Sequence, residues 1–237
     1  MKDELFELGR RYGSDKFTSH GYHRYYTPLL QPLRNKPIRL LEVGIDRGSS
    51  LQLWLEYFPR ATIYGMDRST ESEGERFRVY QGDQSRREDL RKVLALIDGS
   101  LDIVIDDGSH VPAHQLLTFS EFFPRVSAGG IYIIEDIETS YWSNGEIYGY
   151  AVKHGYRHSQ STVEVFKQLL DVVNIKFLTE SALSVLEETL ASFGLQLATV
   201  REIANLRFGQ NCIIVTRRDS TDGEFDRRIY PLNLVSD

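Results

Sequence analysis

Short apolar runs alternate with segments of helical periodicity through the middle of the chain. The runs predict buried strands over residues 39–45, 62–67, 77–83, 101–106 and 131–136. Between them, apolar residues recur at helical spacing over 49–58, 85–97 and 111–126. Pro112 lies at the start of the last of these helices, a position that favours proline. Strands that alternate with helices in this way predict a parallel α/β sheet.

The pattern changes towards the C-terminal end. Two more helices are predicted over 161–174 and 180–193, and the segments 195–206 and 212–218 are rich in strand-forming residues. A short Phe-Gly-Gln-Asn turn separates those two segments, which predicts an antiparallel hairpin. The predicted fold is therefore α/β, with a doubly wound, mainly parallel sheet and a C-terminal antiparallel hairpin. By analogy this is the Rossmann-like architecture of class I methyltransferases, whereas NAD-binding Rossmann domains usually end in another parallel strand.

Composition narrows the class of protein. A chain of 237 residues with 41% hydrophobic and 26% charged residues suits one soluble domain with a large core. No apolar run reaches the roughly 20 residues of a membrane span, and the first residues lack the apolar core of a secretory signal. The single cysteine, Cys212, and the absence of such a signal predict a cytoplasmic protein. The net charge of −6, with scattered basic residues, argues against a nucleic-acid partner.

Acidic residues gather at the carboxyl ends of the predicted strands. Open α/β sheets bind ligands at this end of the strands, which is called the ligand edge below. Gly44 and Gly48 allow close approach of a ligand to the start of the next helix. Asp67 is placed to accept hydrogen bonds from two ribose hydroxyls, and Asp106 to pair with an ammonium group. The candidate cofactor-binding residues are Glu42, Gly44, Asp67, Asp83, Gln84 and Asp106, with Asp83 and Gln84 at an adenine edge.

The charge of the ligand edge favours one cofactor over another. S-adenosyl-L-methionine carries a sulfonium and an ammonium, so an acidic pocket attracts it, whereas the pyrophosphate of NAD would be repelled. The spacing of Gly44 and Gly48 also lacks the third glycine of a dinucleotide fingerprint. A tight strand–helix turn without a ligand is the alternative explanation of the two glycines.

A second group of residues predicts a metal site. Asp107 follows one strand and Glu135 and Asp136 end its neighbour, so their carboxylates are expected to converge on one hard cation, Mg²⁺ or Mn²⁺. His110, three residues after Asp107, is the candidate general base for a hydroxyl. The alternative is that the acids cap the following helices and that the histidine is an ordinary loop residue.

The motifs around these residues resemble the metal-dependent sugar O-methyltransferases of macrolide biosynthesis. The resemblance covers roughly residues 10–142 and rests on YGSDK with His20 and Tyr22, and then on LLEVGIDRGSSLQLWLEYFP, GDQS, IDDGSH and GGIYIIEDIETSYW. It implies that Asp107, Glu135 and Asp136 bind magnesium, that His110 is the base and that Asp106 touches the methyl donor. It also implies a small-molecule acceptor such as a glycoside or polyketide. The net charge of −6 gives no reason to expect a membrane-surface partner, and a homo-oligomer is possible because homo-oligomers are common for this fold.

The resulting division of the chain has three parts. Residues 1–38 form an N-terminal helical and aromatic cap segment, 39–218 the S-adenosylmethionine-dependent methyltransferase domain, and 219–237 a C-terminal tail. The cap segment is either a lid over the cofactor or an aromatic helix packed on the sheet. The aromatic loop at 138–160 is either a wall for the acceptor or an ordinary surface loop.

Three functions are consistent with these sequence features. The first is a magnesium-dependent S-adenosylmethionine O-methyltransferase acting on a natural-product or sugar hydroxyl. The second is a partner subunit of a tailoring enzyme that binds the methyl donor but has no catalysis of its own. Such a subunit has no need for the acids and His110. The third is an NAD-dependent oxidoreductase, which the glycine spacing and the acidic edge disfavour.

Overall fold

The computed structural model describes residues 3–142 and 153–222, which form an eight-stranded sheet with helices on both faces. The strands are β1 (Arg39–Val43), β2 (Thr62–Asp67), β3 (Ser72–Gly74), β4 (Phe77–Gln81), β5 (Leu101–Asp106), β6 (Val126–Glu135), β7 (Ile203–Gly209) and β8 (Cys212–Arg217). Their order across the sheet is β3-β4-β2-β1-β5-β6-β8-β7. Neighbours from β4 to β6 pair in parallel, while β3, β8 and β7 pair antiparallel. The predicted fold class, including the C-terminal hairpin, is confirmed.

Most helices fall where periodicity predicts them. They are α1 (Glu4–Tyr12), α2 (Asp15–Thr18), α3 (His23–Leu30), α4 (Ser49–Tyr57), α5 (Arg87–Leu96), α6 (Pro112–Phe122), α7 (Thr162–Val173), α8 (Glu180–Ser192) and α9 (Leu197–Val200). Single 3₁₀ turns at Gln31–Leu33, Phe123–Arg125, Ile137–Ser140 and Ile175–Phe177 extend or join them. None of the helices in the described part of the chain is long and apolar enough to cross a membrane.

Alternation along the central strands builds two apolar layers. Leu40, Ile103 and Ile133 face the layer that contains α1 to α4, and Leu41 and Val104 face the layer that contains α5 to α8. All five side chains are fully buried. Burial of each such side chain stabilises the fold by about 1.5–3 kcal/mol relative to exposure. Both faces are thus covered, and the carboxyl ends of the parallel strands are the position at which open α/β sheets bind ligands.

The N-terminal helices are part of this core. Leu5, Phe17, Tyr22 and Tyr26 are buried in the same apolar cluster as Trp54 of α4. This agrees with an aromatic segment packed on the sheet, the second of the two alternatives for residues 1–38. The limits of the three predicted parts of the chain remain a prediction, and most of the predicted tail lies outside the described residues.

Two local features differ from the prediction. Residues 195–206 were expected to be a strand, but 197–200 form α9, because Leu195 and Val200 are buried in the core cluster beside α8. Such packing overrides strand propensity. The edge strand β3 was not predicted, since its three residues are exposed and carry no apolar alternation.

Candidate functional site

Strand alternation brings three acids to one face of the sheet. Glu42 of β1 is in register with Ile105 of β5, and Ile105 is in register with Ile133 of β6. Successive side chains point to opposite faces, so a residue two positions further along returns to the same face. Asp107 and Glu135 therefore share the face of Glu42, which is the face covered by α1 to α4.

The three acids meet around one buried cation, Lys16 of α2. Its Nζ lies 2.9 Å from Oε2 of Glu135 and 3.2 Å from Oε1 of Glu42, and it also donates to Oδ2 of Asp107. Only 3% of the Lys16 side chain is exposed. Burial alone would lower the pKa of Lys16, but Asp107, Glu135 and Glu42 outweigh it and raise that pKa well above its usual value. Lys16 was not predicted as a site residue; the available signal is that a lysine in an aromatic run needs a partner if the run is buried, because lysine is almost never fully buried unless it is paired.

Two of the acids have further partners. The hydroxyl of Tyr26 donates to Oε1 of Glu135 at 2.6 Å, and Ser50 Oγ donates to Oε2 of Glu42 at 2.7 Å. Burial raises the pKa of Glu42 and raises that of Glu135 well above its usual range, in spite of the ammonium of Lys16. Both carboxyls are thus held in fixed positions, and the positive charge of Lys16 favours their ionised forms.

Asp136 reaches the site through an unusual backbone conformation. As the neighbour of Glu135 it would point to the opposite face of a regular strand, but its φ of 52° and ψ of 56° turn the chain. A left-handed residue other than glycine costs roughly 1–2 kcal/mol. Tyr22 donates to Oδ1 of Asp136 at 2.6 Å, and Asn211 Nδ2 donates to the same atom at 3.1 Å. Burial, and then the charge of Asp107, raise the pKa of Asp136.

His110 lies beside Asp136 in the turn after β5. Its Nε2 is 3.9 Å from Oδ2 of Asp136, and its own φ of 57° is also left-handed. The ligand atoms of Asp107, His110 and Asp136 all lie within 4.8 Å of one another. The structure thus brings together two of the three predicted metal ligands and the predicted base.

The remaining predicted ligand, Glu135, is linked to this group by Lys16, whose ammonium contacts both Glu135 and Asp107. Its two oxygens accept from Lys16 and Tyr26, yet each carboxylate oxygen has more than one acceptor site. Asp107, Glu135 and Asp136 supply hard oxygen donors of the kind that Mg²⁺ and Mn²⁺ prefer. The residues present therefore fit a hard divalent cation.

The loops after β1 and β5 touch at Gly44. It has a φ of +87°, and a Cβ added there would lie 2.1 Å from the backbone oxygen of Asp107. The next helix, α4, begins after Gly48, which is also left-handed with a φ of +81°. Glycine at these positions lets the backbone pass close to the carboxyl end of β5.

Asp67 and Asp83, two of the predicted cofactor residues, bind backbone amides. Oδ2 of Asp67 accepts from Ile45 N at 3.0 Å, and its Oδ1 accepts from Ser69 N at 2.8 Å. Burial alone would raise the pKa of Asp67. Hydrogen bonds from Ser69 and from the backbone amides of Ile45 and Asp46 outweigh burial and lower that pKa. Asp83 Oδ1 accepts from Ser85 N at 2.8 Å, and hydrogen bonds from Ser85 lower the pKa of Asp83. Both acids therefore stay ionised at the carboxyl ends of the strands.

Asp106 and Gln84 form a buried pair. Gln84 Nε2 donates to Oδ1 of Asp106 at 2.6 Å, and Gln84 Oε1 accepts from Ser109 N at 2.8 Å. Asp106 is fully buried, and burial raises its pKa to about 8. By alternation its side chain points away from that of Asp107. The pair links the ends of β4 and β5, and its contact with a cofactor remains a prediction.

The aromatic loop at 138–160, predicted to be either a wall for the acceptor or a surface loop, is only partly described. Residues 143–152, which include Tyr148 and Tyr150, lie outside the described ranges. Tyr141 and Tyr156, which flank that gap, are 52% and 60% exposed. Their rings stack with centroids 6.3 Å apart. Both rings present aromatic surface to solvent, and Tyr141 is close in sequence to Asp136.

The chain is similar to several known proteins, although the sequence matches no family model. The chain is 40% identical over 147 residues to 8-demethyl-8-alpha-L-rhamnosyl tetracenomycin-C 2'-O-methyltransferase of Streptomyces olivaceus, covering 58% of this chain and 39% of that enzyme. It is 41% identical over 151 residues to mycinamicin VI 2''-O-methyltransferase of Micromonospora griseorubida, covering 60% of this chain and 38% of that enzyme. The chain thus matches about two fifths of the length of these relatives.

A solved structure matches nearly the whole chain. The MycE methyltransferase from the mycinamycin biosynthetic pathway, in complex with Mg, SAH and mycinamycin VI, superposes with a TM-score of 0.75 and 30% sequence identity. The match covers 97% of this chain and 58% of that one. This chain therefore has the class I methyltransferase fold, and it is similar in sequence and structure to part of MycE and of the sugar O-methyltransferases named above.

Proposed function

We propose that this chain is an S-adenosyl-L-methionine-dependent O-methyltransferase that uses Mg²⁺ or Mn²⁺ and acts on a hydroxyl of a glycosylated natural product. The observation that carries the proposal is the convergence of Asp107, His110 and Asp136 at the ends of β5 and β6. Kinship with MycE, which was solved with Mg and SAH, supports this assignment.

Each predicted residue receives a role in this proposal. Asp107, Glu135 and Asp136 hold the divalent ion, which when bound supplies Lewis-acid polarisation of the acceptor hydroxyl. His110, beside Asp136, takes the hydroxyl proton as general base. The methyl donor supplies an electrophilic methyl group on a sulfonium. Much of the rate gain in such a transfer comes from holding the oxygen and the methyl group in line, which the rigid ligand edge favours.

The donor is assigned to the edge formed by the loops after β1, β2, β4 and β5. The residues proposed to bind it are Glu42, Gly44, Asp67, Asp83, Gln84 and Asp106. Asp67 and Asp83 have lowered pKa values and are therefore anionic at neutral pH. An anionic edge attracts the cationic donor and disfavours a pyrophosphate.

The acceptor is assigned to the aromatic side of the site. The named relatives act on a rhamnosyl tetracenomycin and on mycinamicin VI. The exposed rings of Tyr141 and Tyr156 suit the flat and apolar faces of such glycosides. We infer a glycosylated polyketide or macrolide as the acceptor class.

The first test is calorimetric titration of S-adenosyl-L-methionine and of NAD into metal-free protein, repeated with Mg²⁺. We expect saturable binding of the methyl donor alone, and binding of NAD alone would overturn the proposal. Release of SAH with mycinamicin VI or a rhamnosyl tetracenomycin as acceptor then tests catalysis. Asp107→Asn is the matched control, because it keeps the side-chain volume and removes a metal-binding charge.

A partner subunit without catalysis is the second candidate. It predicts donor binding without turnover of any acceptor and without an effect of Mg²⁺. The grouping of His110 with two carboxylates favours the enzyme over this candidate.

A further inference from the structure

We propose that Tyr22 and Tyr26 are positioning residues that set the metal-binding geometry of Asp136 and Glu135. The inference rests on the proposed function, because it concerns the divalent ion assigned to those carboxylates. Each tyrosine hydroxyl donates to one acid, from Tyr22 to Asp136 and from Tyr26 to Glu135, both at 2.6 Å.

The two tyrosines are rigidly placed. Both are fully buried, and their rings stack on each other with centroids 5.8 Å apart and planes 13° apart. Tyr26 also stacks on Trp54 of α4 at 6.5 Å. Tyr22 and Tyr26 are four positions apart, so the start of α3 presents both hydroxyls on one side. The hydroxyls therefore have little freedom to leave the carboxylates.

A fixed hydrogen bond to one carboxylate oxygen determines where the other oxygen points. Oδ1 of Asp136 accepts from Tyr22, and its Oδ2 is the oxygen that lies nearest to His110. Tyr22, with the longer hydrogen bond from Asn211 to the same oxygen, thereby aims the remaining oxygen of Asp136 at the group formed with Asp107. Loss of partners that orient metal ligands usually weakens metal affinity by 10–100-fold.

A purely structural role makes a different prediction. In that case the hydroxyls only satisfy buried carboxylates, so their loss changes stability and leaves metal affinity as it was. Tyr25 provides a matched control in the same helix. Its hydroxyl accepts from Gln210 N at 3.0 Å and contacts none of the carboxylates of the site.

The test compares Tyr22→Phe, Tyr26→Phe and Tyr25→Phe. The dissociation constant for Mg²⁺ is measured by calorimetry without methyl donor, and the unfolding midpoint is recorded for each variant. We expect Tyr22→Phe and Tyr26→Phe to weaken Mg²⁺ binding by 10–100-fold and Tyr25→Phe to stay within about twofold of the wild type. In turnover, saturating Mg²⁺ should restore kcat to the two weakened variants.

Unchanged Mg²⁺ affinity in folded Tyr22→Phe would overturn the inference while the proposed function stands. An equal loss in all three variants would overturn it as well, since it would indicate a general effect on stability. Wild-type protein that binds no Mg²⁺ would instead refute the proposed metal site itself. If Tyr26→Phe does not fold, Tyr22→Phe against Tyr25→Phe still decides the question.

Discussion

The ammonium of Lys16 lies 2.9 Å from Oε2 of Glu135, although 119 residues separate them in the chain. The same ammonium contacts Glu42 and Asp107, so one cation from α2 serves acids at the ends of three adjacent strands. A buried carboxylate that loses its partner costs several kcal/mol. The N-terminal segment is therefore required for the charge balance of the site as well as for the core.

Lys16→Met tests this charge balance. The variant keeps most of the side-chain volume and leaves buried Glu42 and Glu135 without their cation. We expect the free energy of unfolding in urea at pH 7.5 to fall by about 3–5 kcal/mol.

Lys167→Met is the control for the Lys16 variant. Lys167 is half exposed and pairs with Glu164 on the surface of α7, so its loss should cost less than about 1 kcal/mol. Equal stability of the two variants would show that the acids of the site do not depend on Lys16.

Gly44→Ala tests the contact between the loops after β1 and β5. The added Cβ would meet the backbone oxygen of Asp107 at 2.1 Å, and alanine would also be strained at a φ of +87°. We expect a loss of more than about 3 kcal/mol in unfolding free energy from overpacking and backbone strain together. The loss is measured by urea denaturation.

Gly48→Ala separates the two causes. Its φ is +81°, but a Cβ there meets nothing within 4 Å, so only the strain of about 1–2 kcal/mol applies. If Gly44→Ala proves no more harmful than Gly48→Ala, the loops do not touch in solution.

Sequence periodicity accounts for the sheet and for part of the site. Once β5 is recognised, alternation alone places Asp106 and Asp107 on opposite faces. It cannot place Asp136 beside Asp107, because the left-handed turn at Asp136 breaks the alternation. There Asp136 accepts a hydrogen bond from Tyr22, which lies 114 residues away, and strand periodicity carries no signal for so distant a contact.

The same limit explains why Lys16 and Tyr26 were not predicted as site residues. Their partners, Asp107 and Glu135, are 91 and 109 residues distant in the chain. Periodicity reports which face a residue occupies and is silent about which distant helix covers that face. The acids were predictable from strand ends, whereas their partners required the packing of α2 and α3 on the sheet.

His114, in the first turn of α6, gives the fold an acid-sensitive contact. Burial lowers its pKa below the ordinary value of 6.5, against the opposing charge of Asp83, and its Nδ1 lies 2.8 Å from Ser109 Oγ. The folded state thus prefers neutral His114. The stabilisation is complete above pH 6.5 and is lost as the pH falls, because the unfolded chain then binds a proton that the fold does not.

His114→Gln should remove this sensitivity. In urea denaturation from pH 7.5 to pH 5, we expect the wild type to lose more unfolding free energy than the variant. The slopes should differ by at most about 1.4 kcal/mol per pH unit. Parallel curves for the two proteins would mean that His114 titrates alike in both states.

His110→Ala distinguishes a base from a metal ligand, since His110 lies within reach of both roles. As general base it contributes about 10²–10⁴-fold to the rate, so its loss should abolish most turnover. The dissociation constants for Mg²⁺ and for S-adenosyl-L-methionine, measured by calorimetry, should stay within about threefold of the wild type, because no ligand has been removed. Asp136→Asn is the counterpart, and its first effect should be a higher Mg²⁺ requirement. If His110→Ala loses Mg²⁺ affinity to the same extent as Asp136→Asn, His110 is a metal ligand. Another group must then accept the hydroxyl proton.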